Sequence, residues 1–156
     1  MRKLSVFLLA VFVALTSIGC DSNEDDASDA EIFIGTWTVV EVHDEEGDKT
    51  SIFDEGINNF SATLNADNEY SLIVDFVDPE REDIPLNGTY TIEADSDDLL
   101  LNANLGSGSL PLHFRYEIES ENEIELSISE TLVQLIFGTE EGTYVGDVTF
   151  TIQRQN

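Results

Sequence analysis

Few side chains in this sequence belong to the types that carry out chemistry. Its 156 residues include one cysteine, Cys20, and two histidines, His43 and His113. His43 and His113 stand singly on alternating segments with no ligand pattern beside them, and read as solvent-facing or edge histidines. The sequence has no Gly-x-Ser-x-Gly elbow, no His-Glu-x-x-His pair and no Gly-rich phosphate loop. Paired carboxylates could serve glycoside chemistry, but 33 Asp and Glu single out no pair. The sequence therefore nominates no catalytic residue, no metal ligand and no cofactor, and reads as a non-enzyme. Cys20 is different. A lone thiol is unusual in an oxidising compartment unless it is modified, and this one ends an apolar run.

That run belongs to a targeting segment. Arg2 and Lys3 form a basic start, Leu4 to Leu15 is apolar but for one Ser, and Thr16, Ser17 and Gly19 are small. The stretch is short for a membrane-spanning helix, which needs roughly 20 apolar residues. Removal of the leader leaves four basic residues against 33 acids, a net of −29. Such a chain repels phosphates, so nucleic acid is excluded as a partner. Lys49 is the sole lysine after the leader, and the acids are spread over every segment. That pattern suits a surface adapted to high salt, where screening weakens self-repulsion.

Ser17-Ile18-Gly19-Cys20 resembles the lipobox of bacterial lipoproteins. Ser17 stands where Leu is commoner in that family. The resemblance implies cleavage before Cys20, a diacylglycerol thioether on its sulfur, and location at the cell envelope, anchored to a membrane through lipid. Each buried CH₂ contributes about 0.8 kcal/mol, and two or three acyl chains make a firm anchor. Residues 1–19 are then the signal peptide and 20–31 the lipidated Cys with an acidic linker. Asp21 to Glu31 holds six acids and no large apolar residue, as a solvated spacer or a display signal would.

From residue 32 to 156 the hydrophobic period is two. Apolar residues alternate with polar ones over 60–64, 70–76, 88–94, 112–118, 124–128 and 148–152, with further strands at 36–42 and 99–102. Turn-forming clusters separate them at 65–68, 95–98, 106–108 and 120–122. Segments 51–56 and 131–137 each suit a turn or two of helix, the first with Ser51 and Asp54 spaced as a capping box. About eight antiparallel strands in a meander, each with one apolar face, form either a closed up-and-down barrel or, as the alternative, a β-sandwich.

The first strand opens Gly35-Thr36-Trp37, which resembles the Gly-x-Trp signature of lipocalins. Gly88-Thr89-Tyr90-Thr91-Ile92 also suits small bacterial lipocalin-like domains. In that family the Trp closes the base of an eight-stranded barrel and an Arg near the end of the last strand packs over it. Arg154 shares parity with Val148, Phe150 and Ile152, so it could stack on Trp37. The lipocalin acidic turn with a downstream Arg cannot be placed.

Two functions follow as expectations. One is a lipid-anchored binder of a small apolar ligand, lined by Tyr70, Phe76, Tyr90, Phe114, Tyr116 and Phe150, with Ile52 and Phe53 over the open end. The other is a surface interaction or structural module whose barrel is filled by these large side chains; no protein partner is legible. The anchor has a direct test. Cys20→Ser should abolish incorporation of a labelled fatty acid and leave the chain unprocessed or soluble. Label retained by the Ser variant would remove the lipoprotein reading.

Overall fold

The computed structural model describes residues 28–104 and 108–155. Cys20, the leader and positions 21–27 of the acidic linker lie outside the described residues. Ser28 caps a short helix α1, Asp29–Phe33, and the Glu31 carboxylate accepts a bond from its backbone N–H at 3.3 Å. Positions 29–31, read from sequence as linker, thus belong to the packed domain.

The strands are β1 (Gly35–Asp44), β2 (Gly47–Asp48), β3 (Ile57–Leu64), β4 (Glu69–Phe76), β5 (Ile84–Glu93), β6 (Asp98–Asn104), β7 (Ser109–Ser120), β8 (Glu123–Ser129) and β9 (Asp147–Arg154). Two helices interrupt the meander, α2 (Thr50–Gly56) and α3 (Glu130–Phe137). Lys49 stands at the N-cap of α2 without a side-chain cap bond, so the Ser51–Asp54 spacing does not mark that helix start. No helix among the described residues is long and apolar enough to cross a membrane.

All neighbours pair antiparallel in the order β1-β3-β4-β5-β6-β7-β8-β9, and β9 returns to β1. The sheet is therefore a closed eight-stranded barrel of the lipocalin-like, up-and-down kind, and not a sandwich. The two-residue β2 is an arm on β1 outside the ring. Alternation places Tyr70, Leu72, Val74 and Phe76 of β4 inside, with Val148, Phe150 and Ile152 of β9. Asn68 and Asp97 turn the chain with φ of 60° and 55°, a region their short polar side chains tolerate.

A bulge between Val39 and Glu41 shifts the parity of β1. Trp37 faces inward before it and Val42 after it, both wholly buried. Without the extra residue Glu41 and His43 would point into the apolar interior. Instead they lie on the outer face, 3.3 Å apart, and Asp44 turns inward at the rim.

The base end holds α1 and the turns at 65–68, 94–97 and 121–122. Trp37 Nε1 donates to the Phe33 carbonyl at 2.9 Å. The Arg154 guanidinium lies 4.7 Å from the Trp37 ring centroid. Its Nη1 and Nη2 donate to the carbonyls of Ile34 at 2.6 Å and Ile32 at 2.5 Å, and Nε reaches the Glu121 carbonyl at 3.2 Å. Gly35 has φ +151°, and a Cβ there would stand 2.8 Å from Arg154 Nη1. The Gly-x-Trp pair thus has a physical reason: the Gly leaves room for the guanidinium that covers the Trp.

Trp37→Ala should cost roughly 3–5 kcal/mol, as for other buried aromatics cut to Ala. Stacking alone would make Arg154→Ala cost about 1 kcal/mol; three carbonyl bonds to a charged donor raise that to roughly 2–4 kcal/mol. The losses should be non-additive in a double-mutant cycle read by denaturant unfolding. Strict additivity would mean that the two side chains do not act as one closure.

Candidate ligand site: the barrel interior and its two closures

The interior contains a cavity of about 50 Å³ with a wholly apolar wall. Tyr70, Phe114 and Phe150 line it, with Val39, Phe60, Leu101 and Leu112 among others. Three other aromatics expected there are placed elsewhere. Phe76 is buried at the rim beneath the Arg81 guanidinium, 3.6 Å from its ring centroid. Tyr90 is buried with its hydroxyl donating to the Asn65 carbonyl at 2.8 Å. Tyr116 closes the base: its ring meets Phe33 edge-on at 5.0 Å and its hydroxyl donates to Asp29 Oδ2 at 2.7 Å. All three are buried on the inward face, yet none of them is among the side chains that line the cavity.

The base has a second close contact. A Cβ at Gly88 would collide with the Asn102 carbonyl and press on the Tyr70 ring. This glycine lets β5 and β6 approach under Tyr70. The Tyr70 hydroxyl is shielded from solvent and meets no hydrogen-bond partner among the described residues.

At the mouth, Ile52 and Phe53 of α2 part company. Phe53 is buried, whereas Ile52 is 43% exposed. Phe53 meets Phe137 of α3 at 5.7 Å, Phe150 at 5.9 Å and Phe60 at 6.5 Å, all edge-on. Phe137 in turn lies 5.9 Å from Phe150 and 6.2 Å from Phe60. The four rings form a plug across the mouth. Phe137 is a site residue that sequence reasoning missed, although segment 131–137 was legible as helix. Only the fold brings that helix onto the barrel axis.

The plug is held from three sides. Gly138 ends α3 in the left-handed conformation at φ +61°. Arg81, from the loop after β4, donates through Nη2 to the Phe137 carbonyl at 2.6 Å. Asp44 holds the strap that follows α3: Oδ2 accepts from the Val145 N–H at 3.0 Å and lies 3.4 Å from Lys49 Nζ, while Oδ1 accepts from the Glu46 N–H at 2.8 Å. Burial by itself would raise the Asp44 pKa. The bonds from Val145 and Glu46, with Lys49 alongside, outweigh it and hold the carboxyl below its ordinary value.

The histidines lie outside the barrel. His43 faces Glu41, and His113 Nε2 is 2.9 Å from Asp98 Oδ1, in an open polar groove with Arg115, Ser127 and Asp147. Glu117, Glu119 and Glu125 bring carboxylate oxygens within 4.8 Å of one another on the outer face of β7 and β8. These are exposed or half-exposed acids on a strongly acidic wall, and no further feature makes them a metal centre.

The fold is thus a lipocalin-like barrel: a closed eight-stranded antiparallel meander with Trp37 and Arg154 at its base. No family model matches the chain, and no curated protein matches it. Among solved structures it is similar to apocrustacyanin C2, with 11% identity and a TM-score of 0.42 over 84% of this chain. It spans 65% of the length of that protein.

The tyrosines give this interior a pH signature. Burial pushes Tyr70 from 10.0 up to about 12 and raises Tyr90 and Tyr144; Tyr116 is raised by burial first and then by Asp29. A raised folded value means that stability is complete below the unfolded value near 10.0 and is lost as pH climbs through about 12. Phenolate absorbance should therefore appear late, together with unfolding. Tyr70→Phe should flatten part of that alkaline limb. Phenolate growing in near pH 10 from a still-folded protein would show that these rings are not sealed.

Proposed function

We propose that this protein is a non-catalytic, lipid-anchored barrel of the cell envelope that takes a slender apolar chain into its interior. The anchor rests on the lipobox ending at Cys20, with the acidic linker as spacer. The spread of acids through the domain fits an envelope exposed to high salt. The ligand reading is carried by one observation: the interior wall is wholly apolar, and Phe137, on a short helix outside the sheet, lines both the interior cavity and a second cavity at the mouth. Strand pairing stays intact if that helix moves, so the interior can open without unfolding of the barrel.

The closed volume favours the second reading, a filled barrel acting as an interaction module. Ligand pockets span roughly 300–1,000 Å³, and this cavity holds about 50 Å³. Binding therefore requires that the Phe53–Phe137 plug give way.

A panel of environment-sensitive apolar probes separates the two. The ligand reading expects saturable binding at micromolar affinity. It also expects Ile52→Ala with Phe53→Ala to change the probe off-rate more than the melting temperature. Absence of saturable binding, with the double variant merely less stable, would establish the filled-barrel module instead.

A further inference from the structure

We infer that the mouth carries a head-group subsite, built from Arg81 and Thr139, for the hydrogen-bond-accepting head of a neutral acyl amphiphile such as a fatty ester. The inference rests on the apolar-chain reading above and names the ligand class of that site.

A second cavity of about 50 Å³ lies at the mouth, directly outside the plug. Phe53, Ile57 and Phe137 form its apolar side, and Arg81, Thr139 and Tyr144 contribute to the rest. Its volume gives room for roughly four water-sized groups, enough for a carbonyl-bearing head and not for a chain. Thr139 Oγ1 is shielded from solvent and meets no hydrogen-bond partner among the described residues. A buried hydroxyl in that state is stabilised by any acceptor or donor brought to it.

Arg81 supplies the second polar handle. Its immediate sequence neighbours include Asp78, Glu80, Glu82 and Asp83, yet no carboxylate among the described residues comes within ion-pair distance of it. The guanidinium instead covers the Phe76 ring and gives one bond to the Phe137 carbonyl. A guanidinium has five N–H donors and no acceptor. It can therefore receive a carbonyl or ester oxygen and turns away an ammonium head.

The surroundings choose between a neutral acceptor and a carboxylate. Asp78, Glu80, Glu82 and Asp83 share the Arg81 loop, and Glu45, Glu46, Asp54 and Glu55 occupy adjoining mouth elements. Arg81 and Lys49 are outnumbered by these acids, and Lys49 is already paired with Asp44 and Glu46, so an anionic head approaches against the field, whereas an ester does not. Salt screens that field over a length that falls from about 10 Å at 0.1 M to about 3 Å at 1 M.

Phe137 joins the two cavities. Among the described residues it alone lines both. When its ring withdraws, the mouth cavity and the interior become one tube, polar at the outer end and apolar along its length. The same Arg81 that meets the head also holds the Phe137 carbonyl, so the head sits directly beside the plug.

The test uses the mature chain from position 20 with Cys20→Ser, so that its own acyl chains do not compete. Methyl decanoate, decanoate and decylammonium are titrated against a bound fluorescent alkyl-ester probe. The ester should compete at least tenfold more tightly than decylammonium. Decanoate should be weaker than the ester at low salt and approach it in molar salt. Arg81→Gln should abolish the ester preference, and Thr139→Val, which leaves the bond to Phe137 untouched, should weaken the ester several-fold without affecting decylammonium. Equal affinities for all three heads, or an unchanged ester preference in Thr139→Val, would overturn the head-group subsite and leave the apolar-chain reading standing. A wild-type chain that binds no probe at all would remove both.

Discussion

Closure of the sheet depends on the pairing of β1 with β9, and a single cation guards that seam at its base. Arg154 belongs to β9 and pairs directly across from Trp37 of β1. Its guanidinium spends its donors on carbonyls at Ile32, Ile34 and Glu121 and lays its face on the indole. It ties together the start of the barrel, the last strand and the β7–β8 turn. In a chain with 33 acids against six Lys and Arg, a cation that bonds only to carbonyls is a distinctive use of charge. Carboxylates are plentiful, but the positions that need a positive donor are at helix and strand ends, where carbonyls lack partners.

Arg81 repeats this logic at the mouth. It meets the carbonyl at the end of α3 and a ring of β4, and it leaves the acids of its own loop to solvent. Two of the four Lys and Arg side chains among the described residues thus brace the two ends of the barrel. Lys49 braces the rim through Asp44. Most of the acids lie outside, with Asp44 and Asp29 as bonded exceptions, while Arg81, Arg154 and Lys49 hold chain ends together.

The barrel interior and its plug differ in how they are held. The wall is a continuous ladder of antiparallel pairs, which can open only by loss of several strands' bonds together. The plug is two short helices held by aromatic edges, one guanidinium bond and a strap pinned at Asp44. Local opening draws on the part of a structure with the fewest shared bonds. Movement is therefore expected at α2, α3 and the strap, with the ladder intact.

Much of this was written in the order of residues. The period of two placed six of the eight staves, because one buried face and one wet face suits such strands, and segments 36–42 and 99–102 were added to them to make about eight. Asn68 and Asp97 marked turns through their tolerance of positive φ. The base closure by Trp37 was what the resemblance of Gly35-Thr36-Trp37 to the lipocalin signature implied, and parity added only that Arg154 could face it. Periodicity reports which face a residue is on and not how deep it lies along the barrel. For that reason Tyr70 and Phe150 line the cavity while Phe76, Tyr90 and Tyr116, on equally inward positions, serve the ends. The β1 bulge, which sends Glu41 and His43 outward and Asp44 inward, leaves no mark in the spacing. Nor could spacing link Arg81 to Phe137, 56 residues apart, or make one phenylalanine the partition between two cavities. Local alternation determined the strands; closure of the sheet alone decided which side chains meet across it, since that depends on shear and bulges set by the whole ring.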